Sequence, residues 1–377
     1  MKIGVLTFFR PINHGAVYQA CATSNIVLKK YADKVELIDY QLERTSYYRR
    51  LFRFSEYSKL ISRPHVLFKR IITDIWFAPV RYKQRAKFDR FVEQYLHTSK
   101  PCRSKSELEV VTVDYDVLVV GSDLVWNPEM TGGINDVFYL QFAQEYQKKI
   151  SYAASIGTSE ISKEAAKVIG HYLDTFDAIS VRENTAQIIL ERQTVKNVTT
   201  VLDPTLLTTA QEWNEYKKPY RRQPEGKYLL VYMLELSSVL IEGAKKIAAD
   251  NGFTILTYGS KKYFGKDAID VFDAGPDEML SIISNADVVV TNSFHGCAFS
   301  ILFEKEFWCV PHSTRGTRMT ELLKALELEE RVLMSLDQLN NYERINYEMV
   351  SKYLCKHREH SFDFLEKAFE DNDGHNM

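Results

Sequence analysis

The sequence predicts an α/β protein of two domains, each built from repeated strand–helix units. Three observations lead there. Short β-branched, apolar runs alternate with helical patterns along the chain, as in parallel βα folds. The length, 377 residues, exceeds what one such domain normally holds. A polar stretch with two prolines and no period, YKKPYRRQPEGK at 216–227, splits the series of strands in two.

In the first half, strands are expected at Lys2–Phe9, Val35–Asp39, Asp116–Val120, Lys149–Ala154, Ala178–Val181 and Val198–Leu202. A second series is expected at Lys227–Met233, Phe253–Tyr258, Asp287–Thr291 and Glu306–Val310. Runs such as DVLVV and DVVVT are apolar without alternation, which suits strands covered on both faces. The first domain is placed at 1–215, the linker at 216–227 and the second domain at 228–340. In the remainder, 341–377, Asn346–Phe369 reads as a helix that crosses back to the first domain.

Composition narrows the function classes. Hydrophobic residues are 45% and charged residues 26%, so a sizeable core is available. Lys and Arg number 48 against 50 Asp and Glu, which argues against a globally basic nucleic-acid binder. Five cysteines without a CxxC pair or a zinc-ligand spacing point to a reduced, cytoplasmic chain with no metal. The first residues read as a strand rather than a signal peptide, and no apolar run approaches the ~20 residues of a membrane span.

One segment breaks the balance. Residues 43–90 carry 13 Lys or Arg and 4 Asp or Glu, a local charge of +9, leaving −11 for the rest. Ten aromatics are interleaved, among them Phe68, Trp76, Phe77, Tyr82 and Phe88. A helical insertion at about 43–100 is expected. Either its basic face is merely solvated and its aromatics packed, or it meets an anionic partner. That partner is an anionic membrane at the inner face of the cell, a diphosphate-linked acceptor or, least of these, a nucleic acid.

Four loops follow strands and precede helices, where open α/β sheets bind ligands. Asn13-His14-Gly15 is an ordinary turn or a close backbone approach to a ligand. In GSDLVWN, Asp123 is a helix cap or a base for a sugar hydroxyl. Trp126, beside Asn127, is core or a sugar platform. Arg182 ends a strand with Glu183, as a surface pair or as a fork for a carboxylate or phosphate. Asp203, before Pro204, is a turn residue, a hinge or a base. In NSFHGCA, Ser293, His295 and Gly296 open an apolar helix suited to an anion, with His295 a candidate acid or a structural histidine. Arg315 and Arg318 precede another helix. No dinucleotide fingerprint, P-loop, nucleophile elbow or HExxH occurs.

The ordered set NHGAVYQA (13–20), GSDLVWN (121–127), SYAASIG (151–157), ISVREN (179–184), VLDPTLL (201–207) and NSFHGCAFSILF (292–303) resembles the polysaccharide pyruvyl transferase family. The resemblance implies two Rossmann-like domains facing across a cleft, similar to B-type glycosyltransferases. It implies phosphoenolpyruvate as co-substrate, no other cofactor, and a pair of sugar hydroxyls as acceptor, giving a pyruvate ketal on a cell-surface glycan such as a capsule or exopolysaccharide. Arg182 and His295 fall where the family contacts the donor, with Ser293, Gly296, Arg315 and Arg318 joining them. Asn13, His14, Gly15, Trp126 and Asn127 are assigned to the acceptor, which is nucleotide-linked, lipid-linked through a polyprenyl diphosphate, or polymeric. His14 stands where the family more often has an aromatic. Expected roles are His295 as acid and Asp123, then Asp203, as base. Two rivals remain at this stage. One is a nucleotide-sugar glycosyltransferase of the same architecture, with Glu321 or Glu278 on the ribose. The other is a non-catalytic binder of a glycan or lipid intermediate.

Overall fold

A computed structural model of the chain describes residues 1–42, 57, 61–158, 160–313, 316–340 and 342–370. Six parallel strands form the first sheet: β1 (Lys2–Leu6), β2 (Lys34–Leu37), β3 (Val117–Val120), β4 (Lys148–Ala154), β5 (Ala178–Val181) and β6 (Val198–Thr200). Their order is β2-β1-β3-β4-β5-β6. A second parallel sheet has β7 (Tyr228–Tyr232), β8 (Thr254–Thr257), β9 (Ile269–Asp270), β10 (Val288–Thr291) and β11 (Glu306–Cys309), in the order β11-β10-β7-β8-β9. Each of the ten expected strands forms, most of them shorter than expected, with β2 and β4 starting one residue earlier and β5 at its expected bounds. Among the described residues the two-residue β9 is the one addition.

The period of two explains the layers. Val117 and Val119 of β3 point to a layer shared with the second sheet, and Leu118 and Val120 point to the opposite face. In β7, Leu230 joins the shared layer, and Leu229 and Val231 point away from it. The two domains therefore meet through a continuous apolar core. The Phe294–Leu302 and His14–Cys21 helices lie in that layer, with Tyr18 packed on Phe299, their ring centroids 4.8 Å apart.

Strand order reverses between β1 and β3 in the first sheet and between β7 and β10 in the second. At such points the loops beyond the strands diverge and leave a crevice. The loops carrying Asn13, Asp123, Leu234 and Ser293 leave these four strands and together line one cavity of about 550 Å³.

Three further pieces bridge the domains. Residues 216–227 are packed rather than free: Tyr220 Oη and Arg222 Nη2 donate to Asp273 Oδ1 at 2.7 and 2.5 Å. Within the basic insertion the Pro64–Tyr95 helix sends its second half onto the second sheet. Gln84 donates to Phe272 O at 2.7 Å and Lys87 pairs with Glu278 at 2.6 Å. Its Phe88 and Phe91 are core, whereas Phe68, Trp76 and Tyr82 are exposed. Residues 43–56 and 58–60 of that segment lie outside the described ones. Finally, the Tyr347–Glu370 helix returns to the first domain, where Arg358 Nε donates to Leu206 O at 2.6 Å. Among the described residues no helix is long and apolar enough to cross a membrane.

Candidate active site

The site begins with two helix starts that approach each other. Asn13 caps the His14–Cys21 helix, its Oδ1 accepting from Ala16 N at 3.3 Å. Ser293 caps the Phe294–Leu302 helix, its Oγ accepting from Gly296 N at 3.2 Å. Glycine is required at both contacts. A Cβ on Gly15 would fall 2.1 Å from Nδ1 of His295. A Cβ on Gly296 would fall 2.5 Å from Thr291 Oγ1, whose hydroxyl is fixed on Tyr232 O at 2.7 Å. The tight packing at Gly15 seats the His295 ring.

Beside that ring lies a buried ionic cluster. Arg182 leaves β5 and its Nη1 donates to Asp203 Oδ2 at 2.6 Å. The same oxygen is 3.7 Å from His295 Nε2 and accepts from Ser122 Oγ at 3.2 Å. Asp203 Oδ1 accepts from Thr205 N and Oγ1. Arg182 Nη2 is 3.5 Å, and Arg318 Nη1 3.9 Å, from Asp123 Oδ1. Both guanidinium groups lie over Phe294, at 4.7 and 5.6 Å from the ring centroid. Burial opposes ionisation of Asp203, but the neighbouring His295 and Arg182 charges more than offset it and hold the carboxyl well below its usual range. Burial likewise opposes the charge on Arg182, and Asp203, Asp123 and Glu183 outweigh it, so its pKa is raised.

Three buried donors remain without a hydrogen-bond partner: Arg182 Nε, Arg182 Nη2 and His295 Nε2. Orphaned buried donors are rare in folded proteins. Asp123, His295, Ser293 and Arg318 line the 550 Å³ cavity, while Arg182, 3.5 Å from Asp123, lines a neighbouring pocket of about 150 Å³ that Phe294 and Arg318 share. Asp123 holds φ 72°, a left-handed conformation that a non-glycine residue keeps only when its surroundings fix it. Its carbonyl accepts from Ser155 N at 2.9 Å, which supplies that constraint. Among the described residues no group of three or more His, Cys, Asp or Glu side chains could hold a metal ion.

A profile of the polysaccharide pyruvyl transferase family matches residues 13–314. The chain belongs to that family. It is a pyruvyltransferase enzyme with a role in polysaccharide biosynthesis, using a pyruvate donor and a sugar acceptor. Curated proteins give no match. Among solved structures, one from Listeria monocytogenes described as a UDP-N-acetylglucosamine 2-epimerase is 9% identical, with a TM-score of 0.55, covering 99% of this chain and 97% of that one. S. aureus MnaA, solved with UDP, is 11% identical with a TM-score of 0.52, over 97% and 96% of the two chains. These likenesses concern the fold alone: two Rossmann-like domains.

Within this pyruvyl transferase several expected roles change. Trp126 is core: its indole stacks on Tyr139 at 5.4 Å and donates to Phe138 O at 2.9 Å, so it offers no face to an acceptor. Asn127 caps the Pro128–Thr131 turn and donates to Ile156 O at 2.6 Å. His14 is sealed between the domains, its Nε2 3.1 Å from Ala274 O. Gly15 leaves the space that the His295 ring occupies, and Gly296 the space that Thr291 occupies. Asp203 is too enclosed and too strongly held as an anion to serve as base; it anchors Arg182 and His295. Asn13, Asp123, Ser293, His295 and Arg318 do meet at one cavity. Arg315 lies outside the described residues.

The sequence reading missed Phe294 and gave two glutamates other roles. Phe294 looked like an ordinary helix hydrophobe, yet it is the platform for two arginines. Glu183, for which a surface pair with Arg182 was one alternative, is buried, and its Oε1 accepts from Ser155 Oγ, Ile156 N and Gly157 N, and so ties the β4 loop to β5. Glu321, on the Thr317–Ala325 helix, caps the Asn184–Leu190 helix across the domain boundary, accepting from Asn184 N at 2.7 Å. The S-I-G and E-N spacings carried no sign of these partners.

Proposed function

We propose that the enzyme transfers pyruvate from phosphoenolpyruvate to two hydroxyls of one sugar, forming a ketal on a glycan or lipid-linked glycan precursor. The observation that carries this reading is the set of three unpartnered buried donors on Arg182 and His295, beside a helix start. A small enol bearing a carboxylate and a phosphate needs two such clamps. Arg182 holds the carboxylate. Arg318, Ser293 and the start of the Phe294–Leu302 helix hold the phosphate.

In the first step the attacking hydroxyl bonds to C2 and gives its proton to Asp123. His295 delivers a proton to the methylene carbon, which becomes the methyl group. Positioned proton transfer of this kind contributes ~10²–10⁴-fold. The C2–O bond to phosphate then breaks, with the arginine cluster stabilising the leaving charge. The second hydroxyl of the sugar bonds to C2 and its proton leaves with phosphate. Asp203 takes no proton: it keeps His295 and Arg182 aligned.

The nucleotide-sugar alternative needs a free carboxylate for a ribose. Glu321 is engaged at the Asn184–Leu190 helix, and Glu278 accepts from Gly275 N at 2.9 Å while pairing with Lys87. Thermal-shift titration with phosphoenolpyruvate against UDP and GDP separates the readings, with stabilisation expected only from the enol phosphate. Stabilisation by a nucleotide alone overturns the proposal. Proton NMR of the product checks the outcome: a new methyl singlet marks a ketal, and two vinyl protons mark an open enol ether.

A further inference from the structure

A run of exposed apolar residues lies on the outer half of the Pro64–Tyr95 helix, none of them lining the cavity. Phe68, Ile72, Ile75, Trp76 and Tyr82 recur at spacings of three, four and seven, the spacing of one helix face. Phe68 is 67% exposed, Ile75 57%, Trp76 79% and Tyr82 63%. The inward face of the same helix carries Asp74, Gln84, Phe88, Phe91 and Val92, all buried. Asp74 is neutralised there by Arg81 Nη1 at 2.7 Å and Arg70 Nε at 3.3 Å. The stripe is thus not a core face that has been misread. It is a second apolar face, on the opposite side of a helix already anchored by its other end.

We propose that this stripe is a docking surface for a bilayer with anionic headgroups. Charge selects that occupant. Lys69 and Lys83 flank the stripe and are exposed, and Arg63 precedes the helix, while Asp74 is buried on the inward side with Arg70 and Arg81. A second copy laid on the same face would bring this like charge against itself, whereas a negative surface neutralises it. Trp and Tyr suit the boundary between headgroups and acyl chains. The helix lies along the surface and does not cross it, since its inward side is polar and packed on protein. Lys87 and Gln84 fix the helix root to the second sheet, so the bilayer holds the whole enzyme in one orientation. The inference stands apart from the donor chemistry and adds the membrane as the place where the acceptor is met.

The test uses the full chain, without donor or acceptor, and vesicles of phosphatidylcholine with and without phosphatidylglycerol. Co-sedimentation is expected only with the phosphatidylglycerol vesicles, and it weakens as salt is raised. Tryptophan emission shifts to the blue on binding, because Trp126, Trp213 and Trp308 are already buried and only Trp76 changes surroundings. Phe68→Ser with Trp76→Ser weakens binding about a hundredfold. Lys69→Glu with Lys83→Glu weakens it about tenfold. Both double variants keep the wild-type melting temperature and turnover on a water-soluble acceptor, since the altered residues are solvent-exposed. The proposal is overturned if the chain stays in the supernatant with both vesicles, or if either double variant partitions like the wild type. It is equally overturned if the stripe proves to join two copies, seen as a dimer that Phe68→Ser with Trp76→Ser dissolves without any vesicle binding. Failure here leaves the thermal shift with phosphoenolpyruvate untouched, and failure there leaves vesicle binding untouched.

Discussion

Two histidines lie on either side of Gly15, and their surroundings could hardly differ more. His14 is fully buried among Tyr18, Phe88, Tyr232 and Tyr258. Both of its nitrogens are used, one 3.1 Å from Ala274 O and the other 3.3 Å from Tyr232 Oη. These partners fit a neutral ring that donates from Nε2 and accepts at Nδ1. Burial pushes its pKa down to about 4 despite the Ala274 carbonyl. His295 has an aspartate 3.7 Å away and an Nε2 with no hydrogen-bond partner. Both residues sit at helix starts and both precede a glycine. What separates a packing histidine from a working one is whether the fold has already satisfied its nitrogens.

The largest effect expected from breaking that contrast is at the arginine that shares Asp203 with His295. Arg182→Gln lowers kcat/KM about 10³-fold and abolishes the thermal shift with phosphoenolpyruvate. A shift of wild-type size would take Arg182 out of donor binding. Next comes His295→Ala, with kcat falling on the order of 10²-fold and donor affinity less affected.

Gly15→Ala sharpens the comparison, because it alters neither histidine. The added methyl meets the His295 ring; its displacement lowers kcat about 10–10²-fold, and the overpacking lowers the melting temperature as well. An unaffected kcat would mean that the seating of the ring is irrelevant. The smallest effect on turnover belongs to His14→Phe, within about threefold of wild type. Its signature is stability against pH. The folded state resists protonation of His14, whose pKa is about 4 there against an ordinary value of 6.5 in the unfolded chain. Between those values the unfolded chain binds the extra proton, so stability is intact above pH 6.5 and falls as pH drops towards 4. The full loss is on the order of 3 kcal/mol below pH 4. Denaturation across this range should show a shallower slope in His14→Phe than in wild type. An identical slope would show that other groups govern it.

The strands were legible because both sheets are covered on both faces, and sequences such as VLVV and VVVT leave little else to be. Ile269–Asp270 was not, since two residues carry no period. In the site, Arg182, Asp123 and His295 could be found as polar groups where apolar strands end. Their partners could not. Whether Trp126 is core or platform depends on Tyr139, and whether His14 is free depends on Ala274, 260 positions along the chain. Phe294 escaped notice because an aromatic in an apolar helix reads as packing, and only two guanidinium groups brought from other elements give it another use.

Glu321 reaches over the boundary to hold Asn184 and Thr185. Parting the lobes would strip two amides and a hydroxyl of their acceptor in the same movement, on the very segment that follows Arg182. Those three bonds break together or not at all, because one carboxylate receives them all.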